Sequence, residues 1–321
     1  MSDIFTPRNL HPMLIADSVP PFDDPAWVYE VKWDGERCIA YLDPMKINGT
    51  ELRNKRNRKL LFQVPELSTI HKQVKKPCVL DGELIAVKAG KPNFYEIQRR
   101  TMMHNPLRIS LASKQTPASF VAFDCIWLDG RDLMTAPLLE RKAALQRNVM
   151  ENKLIAVSRA FAGTGTALYE LVKEQKLEGI VAKKADSLYY PGKRTKDWKK
   201  IKYLLDDDYV ICGYIRKKGH MTSLIIAQYD KENILRYKGH VSLGVSGADF
   251  QRILRQPFIM QPPVVFPPGH ENEDAIWLYP ALVCKIEYME KSKTCSLRQP
   301  IFRGLRDDKK PEDCIERGYD K

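Results

Sequence analysis

The sequence has no long hydrophobic run and no secretion signal. Its apolar stretches fall well short of the ~20 residues that a membrane-spanning helix needs. The N-terminal segment MSDIFTPRNLHPMLIAD lacks the basic region followed by an apolar region that marks a signal peptide. These absences argue against a membrane protein and a secreted one, and we expect a soluble protein of the cytoplasm.

Cysteine is scarce, and its spacing indicates neither a metal site nor a disulfide framework. The seven cysteines stand at positions 38, 78, 125, 212, 284, 295 and 314, and no two form a CxxC pair. An odd number without pairing suits a reducing compartment. Cys38 and Cys125 lie in apolar, strand-like runs, so we expect both to be small core residues.

Acidic residues are too few to balance the basic ones. The 321 residues include 52 Lys and Arg against 40 Asp and Glu, which gives a formal net charge of +12. This balance favours a polyanionic partner, nucleic acid first, although a basic soluble enzyme would show it too. With 44% hydrophobic residues, the chain can form a globular core.

The chain contains many short strand-like runs and two segments with helical periodicity, Leu138–Asn148 and Thr166–Lys176. The irregular order of these segments predicts an α+β fold. The pattern changes near residues 204–208, which predicts two domains, 1–205 and 206–321. In the second domain, about five short strands and one helix suit a small closed barrel of the OB type.

Lys32 stands where the strand-like run WVYEVK ends, two residues before the turn signal Asp34-Gly35. A KxDG sequence alone is a weak signal, and a solvated lysine at the end of a strand would need no explanation. A nucleophile at the mouth of a pocket would need partners from elsewhere in the chain. The downstream segments therefore decide between these two interpretations.

Two downstream segments place carboxylates among apolar residues. LDGEL, residues 80–84, is predicted to be a strand, a turn and a second strand, with Glu83 at the turn. Phe123 and Asp124 lie inside the continuous apolar run from Phe120 to Leu128. A strand phenylalanine is normally a core residue, whereas a buried aspartate needs a partner for its charge.

Two further segments carry charge at the ends or along one face of a strand. Glu178 precedes the apolar run GIVA, and Lys183 follows it. In DWKKIK, strand alternation puts Trp198, Lys200 and Lys202 on the same face. A solvated edge strand would look similar, because edge lysines block aggregation.

These segments form the ordered set KWDGER, LDGELIA, VAFD, EGIVAK and WKKIK, which closely resembles the nucleotidyltransferase motifs of ATP-dependent DNA ligases. The segment LRQPIFRGLRDDK, residues 297–309, is similar to the last ligase motif in its bacterial end-joining form, the LigD type. The resemblance covers about residues 10 to 315. It implies a nucleotidyltransferase (adenylation) domain with mainly antiparallel sheets, followed by an OB-fold barrel.

The resemblance implies a reaction in three steps. A lysine attacks the α-phosphate of ATP to give a covalent lysyl-AMP, the AMP moves to a 5′-phosphate at a DNA break, and a 3′-hydroxyl displaces it. Lys32 would be the nucleophile, and it must be neutral to attack, although the ordinary pKa of lysine is about 10.4. Nearby cations lower such a pKa, and Lys200, Lys202, Arg37 and a bound metal ion are the candidates.

The resemblance also implies roles at other positions. Glu30 would read the adenine edge, Phe123 would stack on adenine, and Arg37 would lie by the ribose or the 5′-phosphate. Glu83 and Glu178 would hold Mg²⁺ or Mn²⁺, which favour carboxylate and phosphate oxygens. The remaining residues expected to bind ATP are basic: Lys183, together with the phosphate ligands Lys200, Lys202, Arg298, Arg303, Arg306 and Lys309.

One family motif is imperfect in this sequence. The family segment usually reads SRNG, and its arginine contacts the 5′-phosphate region, whereas residues 52–58 read LRNKRNR. Either Lys55 or Arg56 takes the place of that arginine, and the sequence does not decide between them. Lys55, Arg56 and Arg58 are therefore the expected DNA-binding residues, and nonspecific contact with backbone phosphates is the alternative.

The expected substrate is double-stranded DNA with nicks or ends, bound by a monomer at the nucleoid. The resemblance suggests a Ku-type end-binding protein as a partner. Two alternatives stay open: an RNA ligase or GTP-using capping enzyme of the same superfamily, and a non-catalytic nucleic-acid-binding protein. The presence of Lys32, Glu83, Glu178, Lys200 and Lys202 argues against the non-catalytic alternative.

Overall fold

The chain divides into two units, Met1–Tyr203 and Leu204–Lys321. The computed structural model describes residues 4–88, 90–217, 220–242, 247–268, 274–291 and 296–316. The division falls two residues before the boundary that the sequence predicts, because a long strand of the second unit already begins at Leu205.

The first unit combines strands with short helices. Its strands are β1 (Leu14–Ser18), β2 (Trp27–Val31), β3 (Glu36–Leu42), β4 (Thr50–Asn54), β5 (Cys78–Lys88), β6 (Lys91–Pro92), β7 (Ala118–Leu128), β8 (Arg131–Asp132), β9 (Ile155–Val157), β10 (Ala160–Ala162), β11 (Gly179–Lys184) and β12 (Arg194–Lys202). Its helices are α1 (Phe94–Thr101), α2 (Pro106–Gln115), α3 (Leu138–Asn148) and α4 (Gly165–Glu174), with 3-10 turns at Pro65–Leu67 and Ile70–Gln73.

These strands form two sheets in which most neighbours run antiparallel. One sheet has the order β1-β12-β11-β2-β10. The other has the order β4-β3-β5-β7-β8, with β6 beside β5 and β9 beside β7. Of the strand pairs in the described residues, β1 with β12 and β7 with β9 are parallel. The predicted α+β class with mainly antiparallel sheets is confirmed.

The second of these sheets is buried on both faces. In β3, Cys38 packs into one apolar cluster and its neighbour Ile39 into another. Because successive side chains of a strand point to opposite faces, a strand buried on both is apolar at most of its positions. The cluster of Ile39 also contains Val28 of β2 and Trp198 of β12, so it joins the two sheets. Cys125 is buried as well, which confirms the core role expected of Cys38 and Cys125.

The prediction of a turn at LDGEL is wrong. The segment lies inside β5, which runs unbroken from Cys78 to Lys88. The pairing of β5 with β7 is irregular between Asp81 and Gly82. A Cβ on Gly82 would lie 2.5 Å from two carbons of the Phe120 ring. Here glycine permits close packing of the two strands, and Asp81 is buried instead of being exposed at a turn.

Helix α3 spans the predicted residues, and α4 begins one residue and ends two residues earlier than predicted. The sequence analysis missed α1 and α2. Each follows an asparagine whose side-chain oxygen accepts a backbone hydrogen bond, Asn93 from Glu96 N and Asn105 from Arg108 N. Such N-caps are a signal that could have revealed both helices. In the described part of the chain, no helix has the length and apolar character needed to cross a membrane.

The second unit is an antiparallel sheet with a helix packed on it. Its strands are β13 (Leu205–Lys217), β14 (His220–Tyr229), β15 (Leu235–Ser242), β16 (Phe258–Ile259), β17 (Ala275–Tyr288), β18 (Glu290–Lys291), β19 (Leu297–Arg298) and β20 (Ile301–Leu305), with α5 at Gly247–Leu254 and a 3-10 turn at Pro311–Asp313. The sheet order is β15-β14-β13-β17-β16, with β20 beside β17. Ile253 of α5 packs into the same apolar cluster as Tyr209 of β13. This arrangement fits the OB-type barrel expected from the sequence.

Candidate active site

Lys32 lies one residue beyond the end of β2, and its main chain is held by the neighbouring strand. Its backbone N–H donates to the carbonyl oxygen of Gly179, at 2.9 Å. Its Nζ lies 2.6 Å from Oε2 of Glu178, whose side chain is only 5% exposed. The lysine is therefore anchored at its backbone and paired at its ammonium group, unlike a solvated lysine at the end of a strand.

Lys32 contributes to a pocket whose walls come from both sheets of the first unit. The pocket is lined by Ile15, Glu30, Val31, Lys32, Trp33, Arg37, Glu83, Phe123, Val181, Lys183 and Trp198. Residues from five separate sequence motifs thus meet at one place. Six of the residues expected to contact ATP or metal are among them: Glu30, Lys32, Arg37, Glu83, Phe123 and Lys183.

Arg37 is held in the pocket by a buried carboxylate. Its Nε and Nη2 donate to the two oxygens of Asp81, at 2.6 and 2.7 Å. The hydroxyl of Tyr189 donates to the same carboxylate, at 2.7 Å. The guanidinium carbon then lies 4.5 Å from the centre of the Phe123 ring. Sequence reasoning missed this role of Asp81, because it placed the residue in a turn.

Asp124 has the partner that its burial requires. Both oxygens accept from Arg141 of α3, each at 2.8 Å, and both side chains are fully buried. Arg141 also donates to the carbonyl oxygens of Ala136 and Ser187, at 2.7 Å each. This pair fixes α3 against β7, the strand that carries Phe123.

Glu30 is buried between two lysines. One oxygen of its carboxylate, Oε1, accepts from Nζ of Lys142 at 2.8 Å and from Nζ of Lys183 at 2.9 Å. Burial alone would raise the pKa of Glu30, but the two ammonium groups more than offset it, and the pKa lies below the ordinary value. Burial lowers the pKa of Lys183 to about 8, although Glu30 opposes the shift. Sequence reasoning did not single out Lys142, which lies on α3 outside the recognised motifs.

Two carboxylates at the pocket carry pKa values above the ordinary one. Burial raises the pKa of Glu83 to about 8, although Arg37 and Lys32 oppose it. Burial also raises the pKa of Glu178, again against the effect of Lys32. Both groups would therefore be stabilised in their charged form by an additional cation. The described residues contain no cluster of three or more His, Cys, Asp or Glu side chains that could hold a metal by themselves.

A divalent cation fits this pair of carboxylates only if another ligand completes its shell. Mg²⁺ is commonly held by one or two carboxylates together with the phosphates of a substrate, and it keeps several waters. Glu83 and Glu178 match this requirement, since they are two carboxylates near Lys32 whose burial is not fully offset by the cations around them. The residues present therefore fit a metal ion that arrives with a nucleoside triphosphate.

The surroundings of Lys32 differ in one respect from the expectation. Its ion-pair partner is the carboxylate of Glu178, whereas the sequence analysis emphasised nearby cations. Lys200 interacts electrostatically with Lys32. Burial and the charge of Lys32 together lower the pKa of Lys200. Lys202 lies opposite Gly179 in the ladder of β11 and β12, at the same end of the strand pair as Glu178.

The basic residues of the last motif belong to the second unit and are paired there. Arg306 donates to both oxygens of Asp308, at 2.8 and 2.7 Å, and to Asp208 at 3.1 Å. Nζ of Lys309 lies 4.0 Å from the Asp208 carboxylate. Arg303 pairs with Glu287, and Arg298 lies in β19.

The basic turn after β4 is shaped by an asparagine. Oδ1 of Asn54 accepts from the backbone N–H groups of Arg56 and Arg58, both at 3.0 Å. Its Nδ2 donates to Glu36 at 2.9 Å. Lys55, Arg56 and Arg58 are exposed, and in the described ranges none of them has a carboxylate at ion-pair distance. The turn therefore presents three cationic side chains to solvent.

Comparison with known families matches nearly the whole chain. A family model described as the ATP dependent DNA ligase domain matches residues 12–202. A second, described as the ATP dependent DNA ligase C terminal region, matches residues 217–309. Each unit of the structure thus contains one of the two matched regions.

Individual relatives and a solved structure point the same way. The chain is 30% identical over 320 residues to the multifunctional non-homologous end joining protein LigD of Mycolicibacterium smegmatis, covering 96% of this chain and 40% of that protein. It is 30% identical over 303 residues to the SPbeta prophage-derived DNA ligase-like protein LigB of Bacillus subtilis, covering 92% and 98%. A structure of mycobacterial DNA ligase D complexed with ATP and MES has 27% identity and a TM-score of 0.56, covering 97% and 99%. The chain therefore spans only about two fifths of the LigD relative.

Proposed function

Because the chain belongs to the ATP-dependent DNA ligases, we propose that it joins a 3′-hydroxyl to a 5′-phosphate in duplex DNA through AMP carried on Lys32. The first unit is the nucleotidyltransferase domain of this family, and the second contains its OB-fold region. One observation carries the assignment of the nucleophile: Lys32 lies at a pocket that also contains Glu30, Phe123 and Lys183.

In the first step, Nζ of Lys32 attacks the α-phosphorus of ATP. A P–N bond forms, the bond to the bridging oxygen of the β-phosphate breaks, and pyrophosphate leaves with the electron pair. The ammonium must first release a proton, and Glu178 lies 2.6 Å from Nζ. Since burial raises the pKa of Glu178, its carboxylate is a stronger base than an exposed one and suits this role.

In the next two steps, AMP leaves Lys32 and then leaves the DNA. An oxygen of the 5′-phosphate attacks the phosphorus of lysyl-AMP, the P–N bond breaks, and Lys32 regains its proton. The 3′-hydroxyl oxygen then attacks the activated 5′-phosphate, loses its proton, and displaces AMP. Lys200 and Lys202, from the adjacent strand β12, would stabilise the negative charge that develops on the transferred phosphate.

The nucleotide would be bound by the remaining groups of the pocket. Phe123 would stack on adenine, Glu30 would accept from its edge, and Arg37 would lie by the ribose. Lys183 would hold Glu30 in place, and its Nζ also lies 4.4 Å from the centre of the Phe123 ring. Glu83 and Glu178 would hold Mg²⁺ or Mn²⁺, which would neutralise the triphosphate when bound.

The basic residues outside the pocket would bind the phosphates of ATP that leave as pyrophosphate and the phosphates of the DNA backbone. Arg298, Arg306 and Lys309 would bind the β- and γ-phosphates in the first step only, and a separate unit suits a group that must later withdraw. Lys55, Arg56 and Arg58 would contact the DNA backbone. The exposure of these three side chains and the net charge of +12 support this part of the proposal.

We infer a role in DNA repair that includes the joining of double-strand ends, because a relative is named a non-homologous end joining protein. A Ku-type end-binding protein would deliver the ends, and the ligase would act as a monomer at the nucleoid in the cytoplasm. Sedimentation of the free protein and its co-purification with a Ku-type protein test these two points separately.

The decisive test is transfer of label from ATP. Incubation with ATP labelled at the α-phosphate should give a protein adduct whose mass increase is that of AMP, located on Lys32. Lys32→Ala should form no adduct yet still seal a nick that already carries AMP, which shows that the variant is folded. Label transfer from GTP alone would favour a capping enzyme, and sealing of RNA but not DNA would favour an RNA ligase.

A further inference from the structure

The two oxygens of the Glu30 carboxylate have different surroundings. Oε1 accepts from two ammonium groups, those of Lys142 and Lys183. Oε2 is buried and has no hydrogen-bond partner among the described residues, and the side chain is 1% exposed. A buried acceptor without a donor costs free energy. Because Glu30 also lines the Lys32 pocket, the missing donor is expected to come from a ligand.

Lys142 is held in place by more than its bond to Glu30. Its Nζ also lies 3.3 Å from the carbonyl oxygen of Phe123 and 3.2 Å from that of Ser158. An ammonium group has three protons, so these three acceptors use all of them. The adjacent residue Arg141 fixes the helix to β7 through Asp124. Lys142 therefore has no freedom to release Oε1 and bind a ligand itself.

Saturation of Oε1 changes what Glu30 can recognise. A free carboxylate can accept two parallel N–H bonds, as the adjacent N1–H and N2–H of guanine would require. With Oε1 occupied, only Oε2 is left, and a single acceptor matches one N–H of the 6-amino group of adenine. Guanine carries an oxygen at the corresponding position, and that oxygen would face a carboxylate.

We propose that Lys142 is a positioning residue for nucleotide selection, which acts by occupying Oε1 of Glu30 and thereby leaves Oε2 as the single acceptor for the 6-amino group of adenine. This inference rests on the proposed function, since it assumes that a purine lies against Phe123. The positive charges of Lys142 and Lys183 also favour adenine recognition. By keeping the pKa of Glu30 below its ordinary value, they ensure that Glu30 accepts and does not donate.

The test compares nucleotides as well as variants. Single-turnover formation of the protein–nucleotide adduct is measured with ATP, with GTP, and with purine riboside triphosphate, which lacks the 6-amino group. For the wild-type protein, we expect the KM of purine riboside triphosphate to exceed that of ATP by about tenfold, the size of one hydrogen bond to a charged group. Equal KM values for these two nucleotides in the wild-type protein would overturn the proposal without any variant.

Lys142→Met should remove the preference for nucleotides that carry the 6-amino group. We expect the KM for ATP to rise about tenfold while that for purine riboside triphosphate changes little, because the variant and the analogue remove the same hydrogen bond and their effects are not additive. Discrimination against GTP should weaken, and Lys142→Arg should restore much of it. The matched control is Lys173→Met, which removes another helix lysine bonded to a glutamate, 3.1 Å from Glu170, and should leave all three KM values unchanged.

The outcomes separate this inference from the proposed function. If Lys142→Met raises the KM of every nucleotide by the same factor, Lys142 supports the fold only and the inference fails. Sealing of a nick that already carries AMP needs no nucleotide binding, so a normal rate in Lys142→Met confirms that the variant is folded. If the wild-type protein forms no adduct with ATP, the proposed function itself is wrong, and this inference falls with it.

Discussion

Nζ of Lys32 and Oε2 of Glu178 lie 2.6 Å apart, and the glutamate is almost entirely buried. In the resting protein, this contact holds the end of the lysine side chain beside the carboxylate. In the proposed reaction, the cation that arrives with the nucleotide would compete with Lys32 for Glu178, and the lysine would then turn to the α-phosphate. The pair is thus both a resting contact and a route for the proton.

The first prediction concerns this pair. Glu178→Gln removes the proton acceptor, so adduct formation with ATP should slow by about a hundredfold at pH 7, the lower end of a typical general-base contribution. Glu170→Gln, an exposed glutamate of α4, is the control; an unchanged rate in Glu178→Gln would remove Glu178 from the mechanism.

The second prediction concerns pH and Lys183. Since burial lowers its pKa to about 8, Lys183 is charged below that pH and loses its charge above it, whereas in the unfolded chain it stays charged up to its ordinary value of 10.5. The KM for ATP should therefore rise between pH 8 and 10, as Glu30 loses one of its two cations. Lys183→Arg keeps the charge and should give a flat profile over this range. By linkage, the contribution of Lys183 to the free energy of unfolding rises with pH in the same window, since the unfolded chain there binds the extra proton.

A third prediction concerns stability. Arg141→Met leaves Asp124 as a buried charge without a partner, and we expect the free energy of unfolding to fall by about 3–5 kcal/mol. Lys76→Met breaks an ion pair with Asp129 whose side chains are 60% and 49% exposed. That control should change stability by less than about 1 kcal/mol. Denaturant titration of both variants measures the contrast, and similar decreases would contradict it.

The fourth prediction tests the interpretation of Gly82. Gly82→Ala places a methyl group 2.5 Å from Phe120 and from the carbonyl oxygen of Val121. We expect the free energy of unfolding to fall by about 1–3 kcal/mol, typical of overpacking, together with a lower rate of adduct formation because Glu83 is the next residue. Gly247→Ala is the control, since a Cβ at that glycine would meet nothing within 4 Å. Wild-type stability for Gly82→Ala would show that β5 and β7 can separate freely.

The fifth prediction concerns DNA. Replacement of Lys55, Arg56 and Arg58 by alanine should weaken binding to nicked duplex. It should also make the fall of log affinity with log salt concentration less steep, by about 0.9 in slope for each DNA phosphate that the turn no longer neutralises. A control triple variant, with alanine at the exposed Lys114, Lys153 and Lys231, removes the same net charge. If both triple variants give the same slope, the basic turn has no special place in the DNA interface.

The motifs predicted where the pocket would form, but their spacing does not give its internal bonds. Glu30 and Lys32 come from β2 and its end, Glu83 from β5 and Phe123 from β7, and only the arrangement of the two sheets brings them to one pocket. The apolar run around Asp124 predicted a buried charge that needs a partner. It could not indicate Arg141, because any basic residue on a packed helix would satisfy the same requirement.

Two failures have identifiable physical causes. The Asp-Gly pair in LDGEL is a strong turn signal, yet tertiary packing overrides it: Arg37 and Tyr189 satisfy the aspartate, and the Phe120 ring fills the space beside the glycine. Lys142 was missed because a lysine on an amphipathic helix is normally solvated. Only the structure shows that Lys142 instead forms a hydrogen bond with the buried Glu30.

The hydrogen bond from the backbone of Lys32 to Gly179 would limit how far a phosphate carried on Lys32 can travel. Gly179 has φ of +142°, and a Cβ there would lie 2.2 Å from the carbonyl oxygen of Ile201, so the strand that holds the lysine cannot easily shift. In the proposed mechanism, AMP on Lys32 would therefore be on a short tether, the four methylene groups of one side chain. Under this proposal, a DNA end would have to be carried into the pocket, and the rate of end sealing would depend on how the DNA is delivered.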